Sequence, residues 1–169
     1  MKYIGALFCA SAFVFAGFVY LENEKKKMRA YSGLSEALVI MKNELGAKLP
    51  PLSELIRRSA ENPEECVKRF FQRVLSGFSE IGDKNFSMIW SEAAGESFPF
   101  FTAEPLGKLC RLGTVLGQSA CETQEEALEN TAAFFRAEAE KMREKMPGTG
   151  KLALGISACA GFLTVIVLC

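Results

Sequence analysis

Acidic side chains are the residues of this chain whose types and spacing come closest to a chemical site. Glu122, Glu125, Glu126 and Glu129 recur at helical spacing, so a helix would bring several of them onto neighbouring turns. Clustered carboxylates bind divalent cations or transfer protons. A solvated helix face has the same pattern, and we favour that interpretation. A membrane enzyme that depends on Glu125 or Glu129 is the alternative.

Other catalytic groups are missing from the sequence. Histidine, the usual proton carrier near neutral pH and the commonest metal ligand, is absent from all 169 residues. No GxxxxGK[ST] motif is present to hold a nucleotide phosphate. Twenty Lys and Arg balance twenty Asp and Glu, so no basic field attracts nucleic acid. We therefore predict a protein that is not an enzyme, holds no cofactor or metal and binds no nucleic acid.

Two long uncharged segments predict how the chain is organised. Residues 3–21 and 152–169 contain no charged side chain, and as helices each would reach roughly 27 to 28 Å, close to the thickness of a bilayer core. We predict transmembrane anchors over 1–21 and 152–169 and a helical domain over 22–151. A cleaved signal peptide ending near Ala10-Ser11-Ala12 is the alternative for the first segment. A buried core helix is the alternative for the second.

Positive charge at the inner ends of both anchors predicts the orientation. Four cationic residues follow the first anchor and four precede the second: Lys25, Lys26, Lys27, Arg29, Lys141, Arg143, Lys145 and Lys151. Only Lys2 lies on an outer side. Because cytoplasmic flanks retain positive charge, we predict that the central domain faces the cytoplasm. Its three cysteines, without a CxxC pair, agree with reduced thiols.

Apolar periodicity predicts an all-α domain, an antiparallel bundle of about six helices between the two anchors. The clearest helix follows Pro63 and carries an apolar face made of Val67, Phe70, Phe71, Val74, Leu75 and Phe78. The first helix is predicted to continue from the membrane to about Leu45. Its apolar stripe consists of Leu34, Leu38, Met41 and Leu45. We predict that the stripe packs within the domain; a coiled-coil seam is the alternative.

Glycine, proline and other small residues predict close approaches and helix ends. Gly113 lies inside a predicted helix, where it costs about 1 kcal/mol relative to alanine, so either another helix crosses closely there or the cost is tolerated. The Pro147–Gly150 segment is predicted to interrupt the final helix before the second anchor. Small residues four positions apart in both anchors permit helix pairing or a homo-oligomer: Ala12 with Ala16 and Ser157 with Gly161.

Several short motifs along the chain carry a resemblance to a known family. They are Ile4-Gly5-Ala6, Leu34, Leu38, Glu44-Leu45, Pro51-Leu52, the LxxLGxxLG stretch from Leu109 to Gly117, Gln124 and Leu154-Gly155. With them the chain resembles the stage III sporulation protein AB family of endospore-forming bacteria. Ala120 is a departure, because the family is expected to carry an aspartate there. Ser119, beside it, is a candidate substitute cap, because Ser119 and Glu122 match the capping-box pattern.

The resemblance implies a function as well as a fold. Family members take part in the channel complex that links mother cell and forespore, on the mother-cell side. They are similar in fold to the cytoplasmic domain of the type II secretion inner-membrane platform protein, an all-helical bundle. The implied partners are the membrane, the companion cytoplasmic ATPase and other membrane subunits of the complex. We therefore expect a non-enzymatic platform or adaptor subunit. A membrane-anchored regulatory or sensory domain is the alternative.

Two polar surfaces are candidates for binding a partner. The first is the basic face of the helix that follows Pro63, with Lys68, Arg69 and Arg73. The second follows the LxxLGxxLG stretch and consists of Gln118, Ser119, Glu122 and Gln124. Both are predicted to offer polar groups beside a helical backbone, as a docking surface needs.

Overall fold

The fold is all-α, as predicted. The computed structural model describes the backbone of residues 2–48, 50–80, 84–118 and 121–168, and the side chains of residues 15–46, 50–79, 84–116 and 122–146. This described part contains six α-helices, one 3-10 turn and no β-strand. The elements are α1 (Lys2–Lys48), α2 (Leu52–Ser59), α3 (Glu65–Gly77), the turn Phe78–Glu80, α4 (Phe86–Ser97), α5 (Ala103–Gln118) and α6 (Cys121–Leu168).

Two compact units divide the chain. One consists of Met1–Met28 and Glu140–Cys169, and the other is Arg29–Ala139. The second unit, called the helical unit below, contains α2 to α5 and the adjoining parts of α1 and α6. All the packing and the candidate surfaces described below belong to this helical unit.

The predicted anchors fall largely outside the described side chains. These begin at residue 15 and end at residue 146, so most of 3–21 and all of 152–169 lie beyond them, together with Ala12, Ser157 and Gly161. Within the described part of the chain, no helix is both long enough and apolar enough to cross a membrane. The two anchors therefore stay a prediction.

The two terminal helices differ in how well they match expectation. The first helix was predicted to reach about Leu45, and α1 runs without interruption to Lys48. The predicted break at Pro147–Gly150 is wrong, because α6 continues through this segment to Leu168. Proline removes one backbone donor from a helix. The loss of this one donor does not end α6, which extends over 48 residues.

Antiparallel packing of α1 on α6 forms one side of the helical unit. Ser35 Oγ donates a hydrogen bond to the backbone carbonyl of Ala132 at 2.9 Å, and Lys42 Nζ lies 2.8 Å from a carboxylate oxygen of Glu129. Between these two contacts the residue number increases along α1 and decreases along α6, so the two helices run antiparallel. All four residues of the α1 stripe are buried: Leu34, Leu38, Met41 and Leu45. The stripe packs within the helical unit, in agreement with the first of the two interpretations.

Aromatic side chains pack these two helices against the connection between α4 and α5. Tyr31 of α1 lies 4.5 Å, between ring centroids, from Phe101, in the connection before α5. Phe101 in turn stacks on Phe98 at 4.6 Å and on Phe135 of α6 at 5.7 Å. Burial raises the pKa of the Tyr31 hydroxyl to about 12, with a smaller contribution from the negative charge of Glu138. The cluster joins three parts of the chain that are far apart in sequence.

Close crossings of α4 with its neighbours depend on two glycines. Ile89 of α4 occupies the space that a Cβ on Gly77 of α3 would need. The Trp90 side chain does the same at Gly113 of α5, and the Trp90 Nε1–H donates to the Leu109 carbonyl oxygen at 2.8 Å. The close crossing predicted as one explanation of Gly113 is therefore confirmed.

Candidate partner-binding surface

The basic face of α3 is exposed but partly neutralised. Lys68, Arg69 and Arg73 all lie on the solvent side of the helix, opposite its buried aromatic stripe. An Nη2 of Arg73 lies 2.7 Å from a carboxylate oxygen of Glu96 in α4. The Arg69 guanidinium lies 3.9 Å from Glu65. Such exposed pairs contribute little to stability, yet they reduce the net positive charge that this surface offers a partner.

The second predicted surface lies at the connection of α5 and α6. Gln118 is the last residue of α5, and its side chain, like Ser119 and Ala120, lies outside the described residues. Glu122 is exposed in the first turn of α6. Gln124 is half-buried, and its Nε2 donates a long hydrogen bond of 3.5 Å to the Leu116 carbonyl. The Gln124 side chain therefore ties the start of α6 to the last turn of α5, where helix carbonyls lack intrahelical partners.

The LxxLGxxLG stretch itself belongs to the core. Leu109, Leu112 and Leu116 are buried on the inner face of α5. Gly113 lies under the Trp90 ring, as described above. The leucine and glycine spacing of this motif therefore serves helix packing, while Arg111 and Thr114 of the same stretch are exposed.

The acidic residues of α6 face solvent for the most part. Among the described side chains, no group of three acidic or cysteine residues comes close enough to hold a metal ion. Glu122, Glu126 and Glu129 are exposed, and Glu129 pairs with Lys42 of α1. This arrangement supports a solvated helix face.

A groove between α1 and α2 was not predicted from the sequence. It has a volume of about 590 Å³. Its lining residues come from α1, from α2 and from the loop after α2: Glu36, Ala37, Ile40, Glu44, Glu54, Arg57, Arg58, Ser59, Glu61, Asn62 and Pro63. We call it the α1–α2 groove. One signal could have found it, because Ile40 is a large apolar residue that lies off the buried stripe of α1.

Ion pairs and a side-chain amide hold the two walls of the α1–α2 groove together. Arg58 of α2 lies 2.8 Å from Glu44 of α1 and 3.1 Å from Glu54. Asn62 Nδ2 donates to the Gly33 carbonyl at 3.1 Å. The first contact joins α2 to the later part of α1, at Glu44. The last joins the loop after α2 to an earlier part of α1, at Gly33. The chain of α2 and its loop therefore runs antiparallel to α1.

Glu54 is the centre of the charge network in the groove. Hydrogen bonds from Arg57 and then Arg58 lower the pKa of its carboxyl to about 2. The bond that Arg57 donates to Glu54 raises the pKa of its guanidinium. The bonds that Arg58 donates to Glu44 and then to Glu54 raise the pKa of the Arg58 guanidinium. Glu54, Arg57 and Arg58 therefore stay charged across the physiological pH range.

Comparison with known proteins identifies the family. Neither a curated protein nor a solved structure matches the chain. The family model for stage III sporulation protein AB matches residues 2–169, so the match extends over the whole chain except its first residue. It includes both terminal segments as well as the helical unit. The chain therefore belongs to the stage III sporulation protein AB family.

Proposed function

We propose that this protein is a non-enzymatic membrane platform subunit of the sporulation channel complex between mother cell and forespore, and that its helical unit docks the companion cytoplasmic ATPase. Membership of the family gives the protein a role in sporulation. The platform role is more specific. One observation carries it: the first and last helices of the compact helical unit, α1 and α6, both continue into the long uncharged ends of the chain.

Membrane anchoring through both ends is supported by the exposed side chains of α1. Phe15 and Phe18 are 69% and 63% exposed, and Val19 and Tyr20 are exposed beside them. A run of large apolar side chains in contact with solvent is unfavourable in water and is typical of a surface that another apolar phase covers. The lysines that follow at positions 25 to 27 fit the cytoplasmic end of such an anchor.

A platform supplies surfaces to partners, and several properties of the chain fit that role. The sequence lacks histidine and a phosphate-binding loop, so the energy for transport would have to come from a separate ATPase. The helical unit has a densely packed aromatic core, which holds the helices that carry its surfaces in fixed positions. Its polar faces and the α1–α2 groove are then available for partners.

Co-purification tests this proposal. The full-length protein, tagged and extracted in mild detergent, should retain the companion ATPase of the same operon. A deletion strain should arrest after engulfment with a failing forespore. Normal spores with altered gene expression, together with no retained ATPase, would contradict the platform role and favour the regulatory or sensory alternative.

A further inference from the structure

We infer that the α1–α2 groove is the docking site for the ATPase, which would enter it with a short helical segment that carries an apolar side chain flanked by lysine or arginine. This inference rests on the proposed function and adds the surface and the chemistry of the partner.

An exposed isoleucine, Ile40, lies on the α1 side of the groove, which we call its floor. Ile40 is 48% exposed although the apolar stripe of the same helix is fully buried. Its neighbour Val39 is 43% exposed. Ile40 lies among the charged side chains of the α1–α2 groove. Apolar surface enclosed by a polar rim is typical of the centre of a protein interface. A partner that places an apolar side chain on Ile40 would remove this surface from water.

The charge of the groove indicates a cationic partner. Four glutamates and two arginines line it, so its formal charge is −2. Arg57 and Arg58 are engaged by Glu54 and Glu44.

The remaining carboxylates lie at one end of the groove. Glu36 accepts a weak hydrogen bond of 3.4 Å from Ser32, and Glu61 attracts Arg57 at longer range. Because α2 and its loop run antiparallel to α1, both glutamates lie toward the end where Asn62 meets Gly33. A lysine or arginine of the partner would be attracted to that end.

The dimensions fit a short helix whose binding surface is already formed. From Glu36 to Glu44 the floor of the groove extends over two helical turns, about 12 Å. The Arg58–Glu44 pair and the Asn62–Gly33 hydrogen bond hold the walls in place, so little conformational entropy would be lost on binding. The other candidate surfaces are less suited, because Arg73 already faces Glu96 and Gln124 is bound to α5.

Binding of the purified companion ATPase to the full-length protein in lipid nanodiscs tests the inference. Ile40→Lys removes the apolar floor and adds a charge that repels a cationic segment. The double variant Glu36→Lys/Glu61→Lys reverses the acidic end. Each should weaken the affinity at least about tenfold. The same experiment at higher salt should weaken binding of the unmodified protein, because charge attraction is screened.

A control variant separates the groove from the rest of the surface. Met88→Lys introduces the same charge at a side chain of nearly equal exposure, 49%, on α4. It should bind the ATPase within about twofold of the unmodified protein, since exposed substitutions away from an interface have small effects. Arg69→Glu/Arg73→Glu tests the competing basic face of α3: a loss of ATPase binding in this variant, with the groove variants unaffected, would overturn the inference. Thermal unfolding followed by circular dichroism confirms that each variant is folded.

The outcomes distinguish failure of the inference from failure of the proposed function. If the unmodified protein does not bind the ATPase, the proposed function fails and the inference with it. If it binds, and the groove variants bind equally well, only the inference is overturned. A loss of self-association without a loss of ATPase binding would make the groove a contact between copies of this chain and would also overturn it.

Discussion

Gly113→Ala should destabilise the helical unit, although alanine is the better helix former. A Cβ at position 113 would overlap Cδ1 of Trp90 and would lie 2.9 Å from the Trp90 Cβ. Trp90 is fully buried, and its Nε1 donates to the Leu109 carbonyl oxygen at 2.8 Å. The indole therefore cannot rotate away without losing this bond. The alternative is a shift of α4 away from α5, which loosens the core.

The size of the effect follows from three opposing contributions to the free energy of unfolding. Helix propensity favours alanine by about 1 kcal/mol. Overpacking of a filled core costs about 1 to 3 kcal/mol, and weakening the buried Trp90 hydrogen bond costs about 1 kcal/mol more. The expected net loss is about 2 kcal/mol. Gly107→Ala is a matched control on the same helix, because nothing lies within 4 Å of a Cβ at that position. It should stabilise by up to about 1 kcal/mol.

Urea unfolding of the full-length protein in detergent micelles measures both changes. Trp90 is the only tryptophan of the chain, so its fluorescence reports directly on the α4–α5 crossing, and circular dichroism follows the helices. The free energies of the two variants should change in opposite directions. If Gly113→Ala stabilises the protein as Gly107→Ala does, the reasoning about the crossing is wrong.

Three further predictions concern the groove wall and the core. Asn62→Ala removes the hydrogen bond to Gly33 and the one that Asn62 Oδ1 accepts from the Glu64 N–H at 2.9 Å. Thermal unfolding should show a loss of about 1 to 2 kcal/mol in the free energy of unfolding, and an unchanged Tm would contradict this prediction. Glu54 has its pKa lowered from 4.5 to about 2, so its stabilisation of the fold is present above pH 4.5 and is lost as the pH falls toward 2. The Tm difference between the unmodified protein and Glu54→Gln should therefore shrink over that range, and a constant difference would count against the network. Tyr31 has its pKa raised from 10.0 to about 12, so its contribution to stability is present below pH 10 and decreases as the pH rises toward 12. The Tm of Tyr31→Phe should therefore fall less over this range than that of the unmodified protein, and an equal fall would refute the prediction.

Sequence periodicity predicted which faces of the helices are buried. The α3 stripe and the α1 stripe are both directed into the core, although Leu75 and Phe78 at the end of the α3 stripe are only half-buried. The basic residues of α3 are exposed, as expected. Apolar residues that recur once per helical turn lie on the same face, so their spacing indicates which face is buried. It does not identify the helix that packs there, so the partners of each stripe came only from the structure.

Features that depend on two distant segments were not predictable in the same way. The pairing of Arg73 with Glu96 joins α3 to α4, and nothing in either segment alone indicates it. The α1–α2 groove depends equally on Glu44 and Arg58, which lie on different helices. The Pro147 break was wrong because a local rule about helix breakers was applied to a helix that the turns on both sides maintain. Gly113 was a partial exception, since its cost within a helix left a close crossing as one of two explanations, and the structure shows that crossing.

A platform for a cytoplasmic ATPase must face the cytoplasm, so the topology of the helical unit decides whether the platform proposal can hold. Reporter fusions made after Gly82 in the full-length gene measure this topology. They are read for fluorescence of a cytoplasmic reporter and for activity of an extracytoplasmic phosphatase. We expect a fluorescent fusion without phosphatase activity. An active phosphatase and no fluorescence would place the helical unit where the ATPase cannot reach it, and would contradict the platform mechanism.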